Sequence, residues 1–392
     1  MLKTKTFLSL LLPAIFFSLG AAEKSVTATP PPLSELKKTA TKTSQAKSNK
    51  RFPDLKEAKL ENPDSWTMIV VPDTQGYIRR IQNHGILDMM FAWMVNNKKN
   101  LNIRQVLFTG DLVDKNHTAK IKHDNNDLVC QEQWKAFSRI IERLDGRIPY
   151  VLCTGNHDYG ANSAENRTTH FNEYFPCSRN TLTREQLLEC GPNTLRSRSL
   201  ENAVYEFTAP APDKRKFLVI TLQFAPTEGL VSWAKTVVDS PEFSDHFVIL
   251  LTHSYMRSNG ELIKDERYAI NQKYGGKSGE YIFKNLVYPA KNIRMVICGH
   301  VCAPNDWSKS VGFAMTKNSS GKSIAQMVFN TQAVGGGFAG SGGDGWLRLL
   351  EFMPDRKTIK ARTYSPFFAA SPSTCSLAWK DDSRNEFSFE LE

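Results

Sequence analysis

The sequence predicts an α/β fold, a two-sheet α/β sandwich flanked by helices, and three observations carry that reading. Up to about residue 300, apolar runs of strand length alternate with segments of helical period. After that point the strand-like runs follow one another through glycine-rich turns with no helical segment between them. Several of the runs also stop on the same kind of polar tip, which draws their carboxyl ends into one neighbourhood.

The elements follow in order. "TMIVVP" (67–72) is a strand, and Ile86 to Asn97 is a helix with Ile86, Met89, Met90, Trp93 and Met94 at helical spacing. "RQVLFTG" (104–110) precedes a helix from Trp134 to Leu144, whose Trp134, Phe137, Ile140, Ile141 and Leu144 share one face. "IPYVLCTG" (148–155) completes a β-α-β-α-β series, the pattern of a parallel layer with helical crossovers. "FLVITLQF" (217–224), "HFVILLTH" (246–253) and "IRMVICGH" (293–300) are further strands, with helices expected at Leu230 to Val238 and Tyr281 to Val287. "AQMVFNT" (325–331), "GWLRLLEF" (345–352) and "TIKARTYS" (358–365) lack intervening helices and are expected to pair antiparallel.

Composition divides the chain further. Met1 to about Ala22 has a charged start, an apolar run from Phe7 to Phe17 and a small-residue end, the pattern of a cleaved signal peptide. The apolar run contains Pro13 and is shorter than the roughly 18 residues of a membrane span, so a secreted or periplasmic location without a transmembrane segment is expected. Residues 23–60 are rich in Lys, Ser, Thr and Pro and read as a disordered linker. The main folded domain is expected over 61–365, with 366–392 as a C-terminal extension. Residues 1–60 hold eleven Lys/Arg and four Asp/Glu, so +7 of the formal +10 lies there. The remainder is nearly neutral, and no nucleic-acid footprint is indicated.

Seven cysteines are odd in number for an exported chain. Cys177 and Cys190 flank a polar insertion and are either bridged or free, since sequence does not give connectivity, whereas Cys153 and Cys298 sit in apolar runs as buried thiols. Histidines 84, 117, 123, 170 and 246 lie in polar stretches and read as surface or hydrogen-bonding groups.

The strand tips carry the chemistry. Asp73 and Gln75 follow the first strand, Asp111 and Asp114 the second, and Asn156-His157-Asp158 the third. His253 and His300 end two later ones. Carboxylates, an amide oxygen and imidazoles are ligands for divalent transition metals. Gly110, Gly155 and Gly299 let the backbone turn tightly beside them.

In the motifs "PDTQ", "GDLVD", "GNHD", "THS" and "GHV", the chain resembles the calcineurin-like metallophosphoesterases over most of residues 66–365. The resemblance implies hydrolysis of a phosphate mono- or diester at two divalent metal ions of the Mn, Fe or Zn class. Asp111 would bridge the ions, Asp73 would bind the first, and Asn156, His253 and His300 the second. His157 would act as general acid without ligating, positioned by Asp158 or Asp114.

Two motifs depart from the family's pattern. Gln75 stands where that pattern has a first histidine, and Cys302 where it has a last one. Gln75 offers a neutral carbonyl oxygen, and Cys302 is a thiolate ligand, an ordinary cysteine or a disulfide-bonded one, with Asn116 and His117 as other candidates. A non-catalytic binding module and a one-metal hydrolase therefore stand as alternatives. Arg167, soon after the "GNHD" motif, is a candidate for holding a substrate phosphate oxygen. The seven glycines from Gly335 to Gly345 read as a loop near the site mouth. "GGKS" (275–278) and "SGKS" (320–323) lack the earlier glycine of a phosphate-binding loop and carry no weight.

Overall fold

The computed structural model describes residues 55–117, 127–192 and 198–392. The expected signal peptide and most of the linker lie outside the described residues. In chain order the first strands are β1 (Trp66–Val71), β2 (Ile103–Phe108), β3 (Tyr150–Leu152), β4 (Leu187–Cys190), β5 (Ala203–Thr208), β6 (Lys216–Leu222) and β7 (Phe247–Thr252). There follow β8 (Ile293–Cys298), β9 (Val311–Lys317), β10 (Ser323–Phe329), β11 (Leu347–Phe352), β12 (Thr358–Tyr364), β13 (Trp379–Lys380) and β14 (Phe387–Glu390).

They form two mixed seven-stranded sheets. One has the order β13-β12-β11-β1-β2-β3 with β14 against β12, and the other β4-β5-β6-β7-β8-β10-β9. With helices on the outer faces, this is the predicted α/β sandwich. Strict period-2 alternation explains why the central strands read as unbroken apolar runs. Met68 and Val70 of β1 face the sandwich interior with Val219 of β6, Ile249 of β7 and Ile297 of β8. Ile69 and Val71 face outward onto helical Met90, Phe91, Trp134 and Phe137. On the other sheet, Leu218, Ile220 and Leu250 pack outward against Leu230, Val231 and Leu286.

The helix His84–Asn97 buries Leu87, Met90, Phe91 and Met94. That stripe of i, i+3, i+4 and i+7 leaves Met89 and Trp93, expected on the core face, only half-buried. The expected antiparallel pairing after residue 300 holds for β11 with β12, and needs correction for β10. β10 pairs antiparallel with β9 but parallel with β8. The long connection through β9 lets it re-enter the sheet in the direction of its neighbour.

Residues 366–392 supply β13 and β14, so this segment completes the first sheet. At the other end, the Lys59 carbonyl accepts from Arg362 at 2.8 Å and the Glu61 amide donates to Glu351 at 2.7 Å. Among the described residues no helix is long and apolar enough to cross a membrane.

Register positions the site. Val71 of β1 pairs with Phe108 of β2, and Phe108 with Leu152 of β3, so three carboxyl ends stand level. In the second sheet Leu222 pairs with Thr252, Leu251 with Ile297, and Cys298 with Val328. Contacts such as Asn330 to Asp73 at 2.6 Å bring the two rows of tips together.

Candidate metal centre

Asp73, past the end of β1, is fully buried yet amply hydrogen-bonded. Its Oδ1 accepts from Thr109 Oγ1 at 2.7 Å, and its Oδ2 from Asn330 Nδ2 at 2.6 Å and the His300 amide at 3.1 Å. Burial still pushes its carboxyl up to about 6, against the pull of His253. Asp111 sits in the left-handed region at φ 47°, next to Gly110 at φ 114°. That turn costs a non-glycine residue about 1–3 kcal/mol, a strain characteristic of functional sites. Asp111 Oδ1 accepts from the His157 amide at 2.9 Å, and Oδ2 lies 3.3 Å from His253 Nε2. Burial would raise its pKa, but His253 and His157 outweigh burial and hold it well below the usual carboxylate range.

Two glycines make room for these carboxylates. A Cβ at Gly299 would stand 2.1 Å from Asp73 Oδ1, and one at Gly155 would stand 2.1 Å from Asp111 Oδ1. At that distance something must shift, so a side chain at either position would displace the carboxylate.

The donor atoms of four predicted ligands converge. Asn156 donates through Nδ2 to Ser163 Oγ at 2.8 Å, which turns its Oδ1 toward His253 Nε2 at 3.1 Å. His253 gives its Nδ1–H to the Thr109 carbonyl at 2.8 Å, so its Nε2 faces the site. His300 places Nε2 3.1 Å from Glu266 and Nδ1 3.2 Å from His253 Nε2. Asp111 Oδ2, Asn156 Oδ1, His253 Nε2 and His300 Nδ1 thus present lone pairs to one another. Both imidazoles spend their other N–H on an oxygen, the arrangement that orients metal-binding histidines.

Facing lone pairs repel unless a proton or cation lies between them. In the metal-free chain a proton serves: burial opposes it, yet Asp111 and Asp73 push His253 up to about 10. A divalent cation fits the same place, since Asp73, Asp111 and His253 offer ligand atoms within 4.8 Å of one another.

Gln75 donates through Nε2 to Asp111 Oδ2 at 2.8 Å, and its Oε1 is buried without a hydrogen-bond partner. An orphaned acceptor beside two carboxylates fits a cation ligand. Cys302 lines the cavity over the site. Burial and the nearby Asp73 and Asp111 push its thiol up to about 12, so it is protonated at neutral pH in the metal-free chain. Asn116 is spent within its loop, donating to the Gly160 carbonyl at 2.8 Å and accepting from the His170 amide at 2.9 Å. His117 pairs with His170 at 2.8 Å.

His157 is half-buried and lines the cavity. Its Nδ1 lies 2.7 Å from the Asp114 carbonyl and 3.6 Å from Asp114 Oδ1, so Asp114 orients it. Asp158 has a different place. It accepts the amides of Gly155 at 2.7 Å, Val113 at 3.1 Å and Leu112 at 3.2 Å, clamping the second tip to the third. Burial and Asp111 push it up to about 8. Arg167 donates to the carbonyls of Ala225 at 2.9 Å and Tyr274 at 3.3 Å, outside the residues lining the cavity.

The cavity has a volume of about 410 Å³. Gly336, Gly337 and Phe338 of the glycine-rich loop form one wall, and Tyr268 contributes another. Sequence reasoning missed Thr109, Glu266, Tyr268, Asn330 and Gln332, the last of which donates through Nε2 to Asp73 Oδ2 at 3.4 Å. Asn330 ends β10 as the other tips end theirs, so that signal was present. Glu266 and Tyr268 lie between strands, without periodicity to mark them.

Two sheets whose parallel strands end on a shared carboxylate and imidazole cluster define a metal-site α/β sandwich. The particular family follows from a family-level match: residues 67–304, more than half the chain, match the calcineurin-like phosphoesterase model, and the chain belongs to that family. It is also 28% identical over 308 residues to "Uncharacterized protein YvnB" of Bacillus subtilis (strain 168), covering 78% of this chain and 20% of the relative. The chain thus spans about a fifth of that relative's length. Among solved structures it is similar to GAP50, the anchor in the inner membrane complex of Plasmodium, with TM-score 0.45 and 12% identity over 84% of this chain and 89% of that one. Family membership and the donor cluster together support a metal-dependent phosphoesterase in general.

Proposed function

We propose that the chain is an exported phosphoesterase that hydrolyses a phosphate mono- or diester at two divalent ions, with His157 as general acid. The observation that carries the reading is the convergence of Asp111, Asn156, His253 and His300. These four would hold one ion, and Asp73, Gln75 and Asp111 the other. When bound, such ions supply charge for the phosphoryl oxygens and an acidified water as nucleophile.

The protein's own groups do the rest. Thr109, Asn330 and the His300 amide hold Asp73 in one rotamer, so its geometry is set before substrate arrives. Glu266 and the Thr109 carbonyl keep the two imidazoles facing inward. His157, oriented by Asp114, faces the cavity and donates a proton to the leaving alkoxide, a transfer worth about 10²–10⁴-fold. Secretion rests on the leader-like residues 1–22.

A one-metal reading has its own support: Gln75 donates a neutral N–H to Asp111 Oδ2, where a second cation would also bind. The test is to strip the metal and add back Mn²⁺, Fe²⁺ or Zn²⁺ with model mono- and diesters while counting bound ions. Turnover restored at two equivalents supports the proposal, and saturation at one supports the alternative. No turnover under any metal leaves a binding module.

A further inference from the structure

The second sheet has another polar recess at the opposite end of its parallel strands. It has a volume of about 450 Å³ and forms where β7, β8 and β10 begin, with Phe247, Arg294 and Lys322 among its walls. Six cationic side chains line it: Arg215, Lys291, Arg294, Lys322, Arg356 and Lys357. Only three carboxylates, Asp245, Asp355 and Glu392, line it with them.

The cations are not equally available. Arg215 is committed to Asp213 at 2.6 and 2.9 Å and to the Arg356 carbonyl at 2.7 Å. Arg294 is 8% exposed, and its Nε donates to the Ser323 carbonyl at 3.0 Å. Its Nη2 is buried with no hydrogen-bond partner. A buried, unpartnered N–H of a charged group is costlier to leave without an acceptor than a neutral one. Burial, and then Arg215, hold the Arg294 guanidinium below its usual pKa. Lys291, Lys322 and Lys357 are exposed at the rim.

We infer that this recess is an anion-binding site, separate from the metal centre, that takes a phosphate group on Arg294. Phosphate is favoured over a lone carboxylate because cations still outnumber carboxylates once Arg215 is set against Asp213, which suits a multiply charged anion, and guanidinium forks match its oxygens. The shared chemistry covers a free phosphate and a lipid headgroup.

The test titrates inorganic phosphate into the full chain, with metal and after chelation. The inference predicts binding that survives chelation and persists in Asp111→Asn. Arg294→Met should weaken it by about 10–100-fold, as expected for losing charge-assisted hydrogen bonds. The exposed-rim variant Lys291→Ala/Lys322→Ala/Lys357→Ala should weaken it too, and tests the site even if Arg294→Met does not fold. Sedimentation with phosphatidate vesicles separates the sources. Phosphate binding without vesicle binding assigns a soluble anion, and vesicle binding that free phosphate displaces assigns a site open to both sources. Vesicle binding lost in these variants but untouched by free phosphate assigns a lipid headgroup. Phosphate binding that disappears on chelation, binding indifferent to Arg294 and the three lysines, or no binding of either ligand overturns the inference.

Discussion

Asn156 Oδ1 lies 3.1 Å from His253 Nε2, although the two residues are 97 positions apart and come from different sheets. The amide is held in that orientation by Ser163 and the imidazole by the Thr109 carbonyl. An imidazole nitrogen and an amide oxygen fixed to face each other describe a site that a proton or a cation fills, and the predictions below follow from that reading.

His157→Ala should lower turnover by about 10²–10⁴-fold while metal content stays near that of the parent. His157 meets Asp111 through its backbone amide, which alanine retains. Metal analysis alongside steady-state kinetics checks both halves, and joint loss of metal and activity would make His157 a ligand.

Glu266→Gln should weaken metal binding by about 10–100-fold without unfolding the chain. Glu266 accepts from Ser254 Oγ at 2.6 Å and faces His300 Nε2, so the amide keeps the shape but loses the charge that orients the ring. Competition with a chelating dye measures the shift. Unchanged affinity would mean that His300 needs no such partner.

The tips themselves were legible because parallel strands must end at one edge, and each ended in a metal-binding residue type. The same logic reached Asp73, Asp111, Asn156, His253 and His300. It does not reach Asn330, because an antiparallel β10 carries no expectation of ending with the other tips; its parallel pairing with β8 brings that tip into the site. Glu266 was out of reach, since a loop residue joins a site only through tertiary packing. The edge strands β4, β13 and β14 escaped for a related reason. They are two to four residues long and partly exposed, so they carry too little apolar alternation to register.

Asp213→Asn should cost about 1–3 kcal/mol at neutral pH, through loss of a charged acceptor. Asp213 takes Trp66 Nε1 at 2.9 Å and Arg215 Nε at 2.6 Å, tying the start of β1 to the loop between β5 and β6. Burial alone would raise its pKa, but Arg215 and Trp66 outweigh burial and lower it from 3.8. A depressed folded pKa means that its contribution is present above the unfolded value and lost as pH falls through the folded one. Denaturant melts should therefore show the gap between parent and variant shrinking below about pH 4. A gap that stays constant into that range would contradict the assignment.

The most direct measurement is anomalous diffraction from crystals grown with Mn²⁺. The account predicts a peak within ligand distance of Asp111, Asn156, His253 and His300, with a second beside Asp73 and Gln75 if both ions bind. Absence of any peak among those first four side chains, at metal concentrations that support turnover, would contradict it.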